Sequence, residues 1–112
     1  MNGDPINLKI AELYGYIPSS DGCWVKDDET YAVSSDKRNH VYALPVLFHS
    51  HGIVRACMRK HCITAEMLAR FEQNLRWVLC EHKLWPTIDM PAWVLLTAGA
   101  EHEAEALVKT LA

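Results

Sequence analysis

The chain has 112 residues, of which 50% are hydrophobic and 22% are charged. This composition is typical of a globular domain and excludes a disordered chain. Its formal net charge of −3 lacks the strongly basic balance of a general nucleic-acid-binding protein.

The residue pattern predicts neither a membrane-spanning segment nor a signal peptide. No apolar run approaches the roughly 20 residues that span a bilayer, and residues 1–5 lack the basic and apolar regions of a signal peptide. We therefore expect a single cytoplasmic domain over 1–112, with reduced cysteines and no contact with a membrane.

The first predicted element is a helix at about 5–14. Asp4 can cap its start, Pro5 suits the first helical position, and Gly15 suits a left-handed C-cap. The apolar residues between these caps recur at helical spacing, at Ile6, Ile10 and Leu13.

Short strands separated by turns are predicted over residues 19–44. Residues 19–22 form a turn cluster, Asp27, Asp28 and Glu29 form an acidic turn, and 34–39 form a polar loop. The β-branched and aromatic segments between them, at 23–25, 30–33 and 40–44, read as three strands. Together they predict an antiparallel meander that ends at Pro45.

Two helices are predicted next. The first covers about 50–61, with a buried stripe of Ile53, Val54, Cys57, Met58 and His61. The second is longer and is opened by Thr64, with a segment at 85–87 that ends it. Its expected core face consists of Leu68, Phe71, Leu75, Val78, Leu79 and His82.

The last two predicted elements are a strand and a helix. The strand covers about 90–97, because its apolar run 92–96 suits a buried strand and Pro91 is tolerated at a strand start. The helix covers about 100–111. Its inward residues are Ala104, Leu107, Val108 and Leu111, and its outward residues are Glu101, His102, Glu105 and Lys109.

This order of elements, αβββααβα, predicts an α+β fold. We expect a mostly antiparallel sheet of about four strands, covered by about four helices.

The four cysteines and six histidines raise the question of a metal site. Cys57 and His61 lie four apart on one helical face, and Cys62, Cys80 and His82 could complete a tetrahedral zinc site. However, their spacing matches no established zinc signature, and two residues that are two apart on a helix point in different directions. We expect no metal or other cofactor, and a zinc-stabilised domain is kept as an alternative.

No complete catalytic motif is present. The segment His49-Ser50-His51 is similar to the His-x-His of zinc-dependent isopeptidases, but the downstream carboxylate that completes such a site is missing. The sequence has no nucleophile elbow and no glycine-rich phosphate loop. We therefore expect a protein that is not an enzyme.

Trp77 is the most informative position of the third helix. Its helical angle places it away from the apolar face, among Glu66, Arg70, Gln73 and Glu81. An exposed tryptophan ringed by polar groups is typical of an interface anchor. Coverage by a neighbouring loop would explain the same position, and the sequence leaves both interpretations open.

A second candidate surface is the row of His51, Arg55 and Arg59 on the second helix. Arginines four apart can bind one phosphate or carboxylate. The same row also suits the solvated face of an amphipathic helix.

The layout of the chain resembles a family of small phage proteins, the phage ABA sandwich domains, in which a sheet lies between helical layers. The resemblance is carried by Lys-Ile-Ala-Glu-Leu-Tyr-Gly-Tyr at 9–16, Cys-Trp-Val at 23–25, Leu-Pro at 44–45, and Ala-Glu-Ala-Leu-Val-Lys-Thr-Leu at 104–111. It implies a phage or prophage origin, action inside a bacterial cell, and no shared catalytic residues.

These observations lead to three functional expectations. The first is a phage-encoded accessory protein, a monomer or homodimer, that sterically inhibits a host bacterial protein such as a CRISPR effector through Trp77 and its neighbours. Direct binding of nucleic acid is not expected. The second is sequestration of a small anionic, nucleotide-like ligand by the basic row, and the third is the zinc-stabilised domain.

Overall fold

The computed structural model describes residues 4–18, 23–32 and 42–112. Its elements in chain order are α1 (Pro5–Tyr14), β1 (Ile17–Pro18), β2 (Cys23–Lys26), β3 (Glu29–Ala32), β4 (Tyr42–Ala43), α2 (His51–His61), α3 (Ala65–Glu81), α4 (Ala92–Leu96) and α5 (Ala100–Leu111). The α+β class is confirmed. The predicted order αβββααβα is wrong in two places, since a strand is added after α1 and the last predicted strand is a helix.

Helix α1 begins and ends where the sequence predicts. The Asp4 carboxylate accepts a hydrogen bond from the backbone N–H of Ile6 (2.8 Å), and Pro5 occupies the first helical position. Gly15 ends the helix with a φ of 118°, and its N–H bonds the carbonyls of Ala11 and Glu12. Only glycine adopts this backbone conformation without strain, which explains the sharp end of the helix.

Asn7 fixes α1 to the segment that precedes α2. Its side chain is fully buried, and its Oδ1 accepts hydrogen bonds from the N–H groups of Leu47 (2.6 Å) and Phe48 (3.2 Å). Its Nδ2 donates to the Pro45 carbonyl (3.1 Å). This amide therefore satisfies backbone groups that would otherwise be buried without partners.

The sheet has the strand order β1-β2-β3-β4, with antiparallel pairing from β1 to β3. Asp27 and Asp28 join β2 to β3 with φ values of 52° and 65°, the pattern of a tight hairpin turn. The predicted acidic turn is thus confirmed as a hairpin. The predicted meander is wrong at its last step, because β4 runs parallel to β3.

Parts of the strand prediction lie outside the described residues. These parts are the turn at 19–22, the loop at 34–39, and the strand residues 33, 40 and 41. Within the described part, β3 begins at Glu29 and the third predicted strand is reduced to Tyr42–Ala43. Ile17–Pro18, for which no strand was predicted, pairs with β2 as β1.

Most of the buried side chains belong to the helices. Ile10 of α1, Val54 of α2, Leu79 of α3 and Leu107 of α5 are among the largest fully buried side chains. They belong to one hydrophobic cluster, in which α3 and α5 make the most extensive contact. The sheet is therefore a small layer beside a helical core.

Helix α4 replaces the predicted strand at 90–97. Pro91 precedes it with a φ of −60°, and the next five residues, 92–96, are helical. Only Val94 of these five residues is buried, whereas Trp93 and Leu96 are 59% and 79% exposed. A short apolar run does not distinguish a strand from a helix by periodicity, and this run is not a buried segment.

The core face predicted for α3 is correct in its middle and wrong at both ends. Phe71, Leu75, Val78 and Leu79 are buried. Leu68 is 48% exposed, and it lies about one turn before Phe71, the first buried residue of the helix. His82 is the C-cap, and its half-exposed imidazole lies 2.9 Å from the Glu105 carboxylate.

Within the described ranges, no helix has the length and apolarity needed to cross a bilayer.

Candidate functional sites on helices α2 and α3

Trp77 is exposed on the face of α3 that is turned away from the core. The residue is 48% exposed, which answers the question that the sequence leaves open. Helix α3 acquires this orientation because Phe71, Leu75 and Val78 bury the opposite stripe. The indole therefore offers an apolar surface about half of which is free to contact another molecule.

The charged neighbours of Trp77 are neutralised in pairs. Arg70 donates to Glu66 at 2.7 Å along the helix, and Glu81 lies 3.3 Å from the Lys109 ammonium of α5. Gln73 is exposed and forms no side-chain hydrogen bond with the described part of the chain. A protein that covers this surface would meet no isolated charge, and it would find a free amide beside the indole. We call these residues, Glu66, Arg70, Gln73, Trp77 and Glu81, the Trp77 surface.

The basic row of α2 is held partly by an internal carboxylate. Glu103 of α5 is 6% exposed, and its Oε1 lies 2.6 Å from His51 Nδ1 and 3.4 Å from an Arg55 guanidinium nitrogen. Glu103 also lies in the first turn of α5, where the helix dipole favours a negative charge. Two members of the row thus contact Glu103, while Arg59 forms no ion pair with the residues described.

A groove lies between α2 and the start of α3, with a volume of about 430 Å³. Its lining residues are Arg55, Met58, Arg59, Cys62 and Leu68. The thioether, thiol and leucine groups form an apolar floor, and the two guanidinium groups supply the charge. We call this feature the α2–α3 groove. Met58 and Leu68 were predicted as core residues, so the groove could not be predicted from the sequence.

Two candidate ligands of the zinc alternative, Cys57 and His61, contact backbone carbonyls of α1. Cys57 is buried with its thiol 3.9 Å from the Ile10 carbonyl, and His61 donates to the Leu13 carbonyl (3.0 Å). Burial raises the pKa of the Cys57 thiol to about 11 and also raises the pKa of Cys62. A metal binds the thiolate, so the raised pKa values make deprotonation of these two thiols by a metal less favourable. Among residues 4–18, 23–32 and 42–112, no three or more His, Cys, Asp or Glu side chains are placed so that they could hold a metal ion.

Two histidines meet at the contact between α3 and α5. The rings of His82 and His102 lie 5.0 Å apart, and both residues line a small pocket of about 190 Å³ together with Glu105. His102 Nδ1 is buried and has no hydrogen-bond partner among the described residues. The sequence predicted an outward His102 and an inward His82. Their proximity depends on how α3 packs against α5, which no local pattern encodes.

Comparison of the chain with protein-family models, with curated proteins and with solved structures finds no match.

Proposed function

We propose that this chain is a protein-binding module that docks onto another protein through the Trp77 surface and blocks it sterically. The observation that carries the proposal is the half-exposed indole of Trp77 on the face of α3 opposite the core. Tryptophan is enriched among residues that dominate binding energies at protein interfaces. The paired charges around the indole supply the polar rim that such an anchor needs.

Burial of the Trp77 indole would make a large contribution to the free energy of binding. A tryptophan has about 250 Å² of surface to bury, and 48% of it is exposed in the free chain. At about 25 cal/mol per Å², its burial contributes about 3 kcal/mol, which corresponds to about a hundredfold in affinity. We therefore expect the loss of this one side chain to abolish most of the binding.

The class of partner comes from the resemblance to the phage ABA sandwich domains. That resemblance favours a phage or prophage protein that acts on a bacterial protein, and it makes host defence machinery, including CRISPR effectors, the first class to test. The Trp77 surface itself requires only a partner with an apolar recess that is bordered by polar groups.

Sequestration of a small anion by the basic row receives less support. Glu103 already lies beside His51 and Arg55, so two of the three cations of the row are partly neutralised within the chain. Only Arg59 of the row is without an ion pair among the described residues. A nucleotide that bound tightly would raise the melting temperature of the protein, so a melting screen with nucleotides tests this alternative.

The experiment for the proposal is an affinity capture from bacterial lysate with quantitative mass spectrometry. The tagged wild-type chain is compared with Trp77→Ala and with Trp93→Ala, which removes another exposed tryptophan, on α4. We expect one protein to be retained by the wild type and by Trp93→Ala, and lost with Trp77→Ala. Gln73→Arg adds a bulky charge to the same surface without touching the indole, and it should give the same loss.

Each variant is checked by circular dichroism and by its unfolding transition. Equal capture by the wild type, Trp77→Ala and Gln73→Arg would contradict the proposal. Loss of cooperative unfolding in Trp77→Ala, with normal capture by Gln73→Arg, would show that Trp77 has a structural role instead.

A further inference from the structure

Helix α2 concentrates positive charge in a chain that is negatively charged overall. The helix carries Arg55, Arg59 and Lys60 and contains no aspartate or glutamate, whereas the chain has a formal net charge of −3. The apolar floor of the α2–α3 groove lies directly beside two of these cations. Apolar contact and positive charge thus occur together at one place on the surface.

We propose that the α2–α3 groove binds an acidic peptide segment of another protein. One large apolar side chain of the segment enters between Met58 and Leu68, and the carboxylates that flank it face Arg55 and Arg59. Charge complementarity favours this occupant, because a basic segment would be repelled by α2. An uncharged segment would form no ion pair with the guanidinium groups of Arg55 and Arg59. Methionine suits such a groove, since its flexible side chain adapts to different apolar partners.

The positions of the two arginines allow a ligand to reach them. Arg59 is exposed and forms no ion pair with the part of the chain that the structure describes. The Arg55 side chain is 50% exposed even though it contacts Glu103, so its guanidinium group has further N–H donors for a second carboxylate. Leu68 is 48% exposed, so it can lose further surface to a bound apolar side chain.

This proposal goes beyond the proposed function, because the groove is separate from the Trp77 surface. Leu68 and Trp77 are nine residues apart on α3, which places them about 180° apart around the helix axis. A substitution at one surface therefore leaves the other intact, and the two proposals can fail independently.

The test is fluorescence anisotropy with labelled synthetic peptides of about twelve residues that carry Leu and Phe at helical spacing among Asp and Glu. One matched peptide has Lys in place of Asp and Glu, and another has Ser in place of Leu and Phe. The protein is used as wild type, as Arg59→Glu and as Leu68→Ser. Arg70→Glu is the control, because it makes the same charge change on α3 outside the groove. Melting curves confirm that each variant is folded.

We expect the acidic, apolar peptide to bind the wild type and Arg70→Glu equally. Its affinity should fall at least about tenfold with Arg59→Glu and with Leu68→Ser, and the two matched peptides should bind at least about tenfold more weakly. The proposal is overturned if no peptide binds saturably, if the lysine or serine peptide binds as well, or if Arg70→Glu weakens binding as much as Arg59→Glu. Melting curves of the wild type are also recorded with decanoate, a small amphiphile. A rise in melting temperature with decanoate, together with no binding of the peptide, would also overturn the proposal and would assign the groove to such an amphiphile.

Discussion

Glu103 shows how one buried charge can join two helices. Its carboxylate is shielded from water on α5, while both of its partners, His51 and Arg55, are about half exposed on α2. A buried carboxylate requires such partners, because an unpaired charge in the interior is strongly unfavourable. The contact therefore fixes how α2 lies against the start of α5.

Glu103→Gln should lower the free energy of unfolding by about 1–2 kcal/mol. The substitution retains the shape of the side chain but removes the charge that His51 and Arg55 contact. We place the loss in this lower range because water screens the exposed partners. Urea denaturation measures the effect.

Glu101→Gln is the matched control for this substitution. Glu101 lies two residues earlier in α5, and its side chain is 47% exposed. Its replacement should change the free energy of unfolding by no more than about 0.5 kcal/mol. Equal losses for the two substitutions would show that the effect comes from the charge near the start of α5 and not from the contact with α2.

The burial of polar residues that join two parts of the chain, such as Glu103 and Asn7, could not be predicted from the sequence. Glu103 stands between predicted outward and inward positions of α5, and only its contact with α2 explains its burial. Asn7 lies on the apolar side of α1, and its role depends on backbone groups about forty residues later. The position of Trp77 outside the apolar stripe of α3 could be predicted from helical spacing, but its exposure could not, because a neighbouring loop could equally have covered it.

At the scale of elements, two glycines have different roles, one just after α1 and one inside α2. Gly15 has a φ of 118° beyond the end of α1, whereas Gly52 lies in the first turn of α2 without a positive φ. A Cβ atom at either position would make only ordinary contacts, at 3.9 Å and 3.8 Å. Backbone conformation alone therefore distinguishes the two positions.

Replacement of these glycines by alanine should change stability in opposite directions. Gly15→Ala should lower the free energy of unfolding by about 1–2 kcal/mol, because alanine is strained at positive φ. Gly52→Ala should raise it by about 0.5–1 kcal/mol, because alanine has the higher helix propensity. Chemical denaturation measures both variants, and a destabilised Gly52→Ala or an unchanged Gly15→Ala would contradict this account.

The presence or absence of cap residues explains which helices could be predicted from the sequence. The bounds of α1 follow from a cap at each end, and α2 and α3 begin after Ser50 and Thr64, whose hydroxyl groups accept hydrogen bonds from the N–H groups of Ile53 and Met67. Helix α4 has no side-chain cap and only five residues. All five residues of this run are apolar, so their order shows neither a helical nor a strand periodicity. The strand prediction therefore rested on composition alone.

For the whole molecule, the sequence could predict the α+β class but not its arrangement. The parallel pairing of β4 with β3 was not predicted, because the short polar segment between these strands in the sequence favoured a hairpin. The α2–α3 groove likewise depends on how two helices meet. Its arginines could be identified as a row, but Met58 and Leu68 of its apolar floor were assigned to the core.

The distribution of charge over the molecule leads to a prediction about salt. Binding of the acidic, apolar peptide to the α2–α3 groove should weaken several-fold between about 50 mM and about 500 mM NaCl. The cations of α2 are exposed at the surface, where salt screens their attraction for carboxylates. Fluorescence titrations at several salt concentrations measure the slope. Arg59→Glu should flatten that slope and Arg70→Glu should leave it unchanged. An affinity that did not vary with salt would mean that the apolar floor alone holds the peptide.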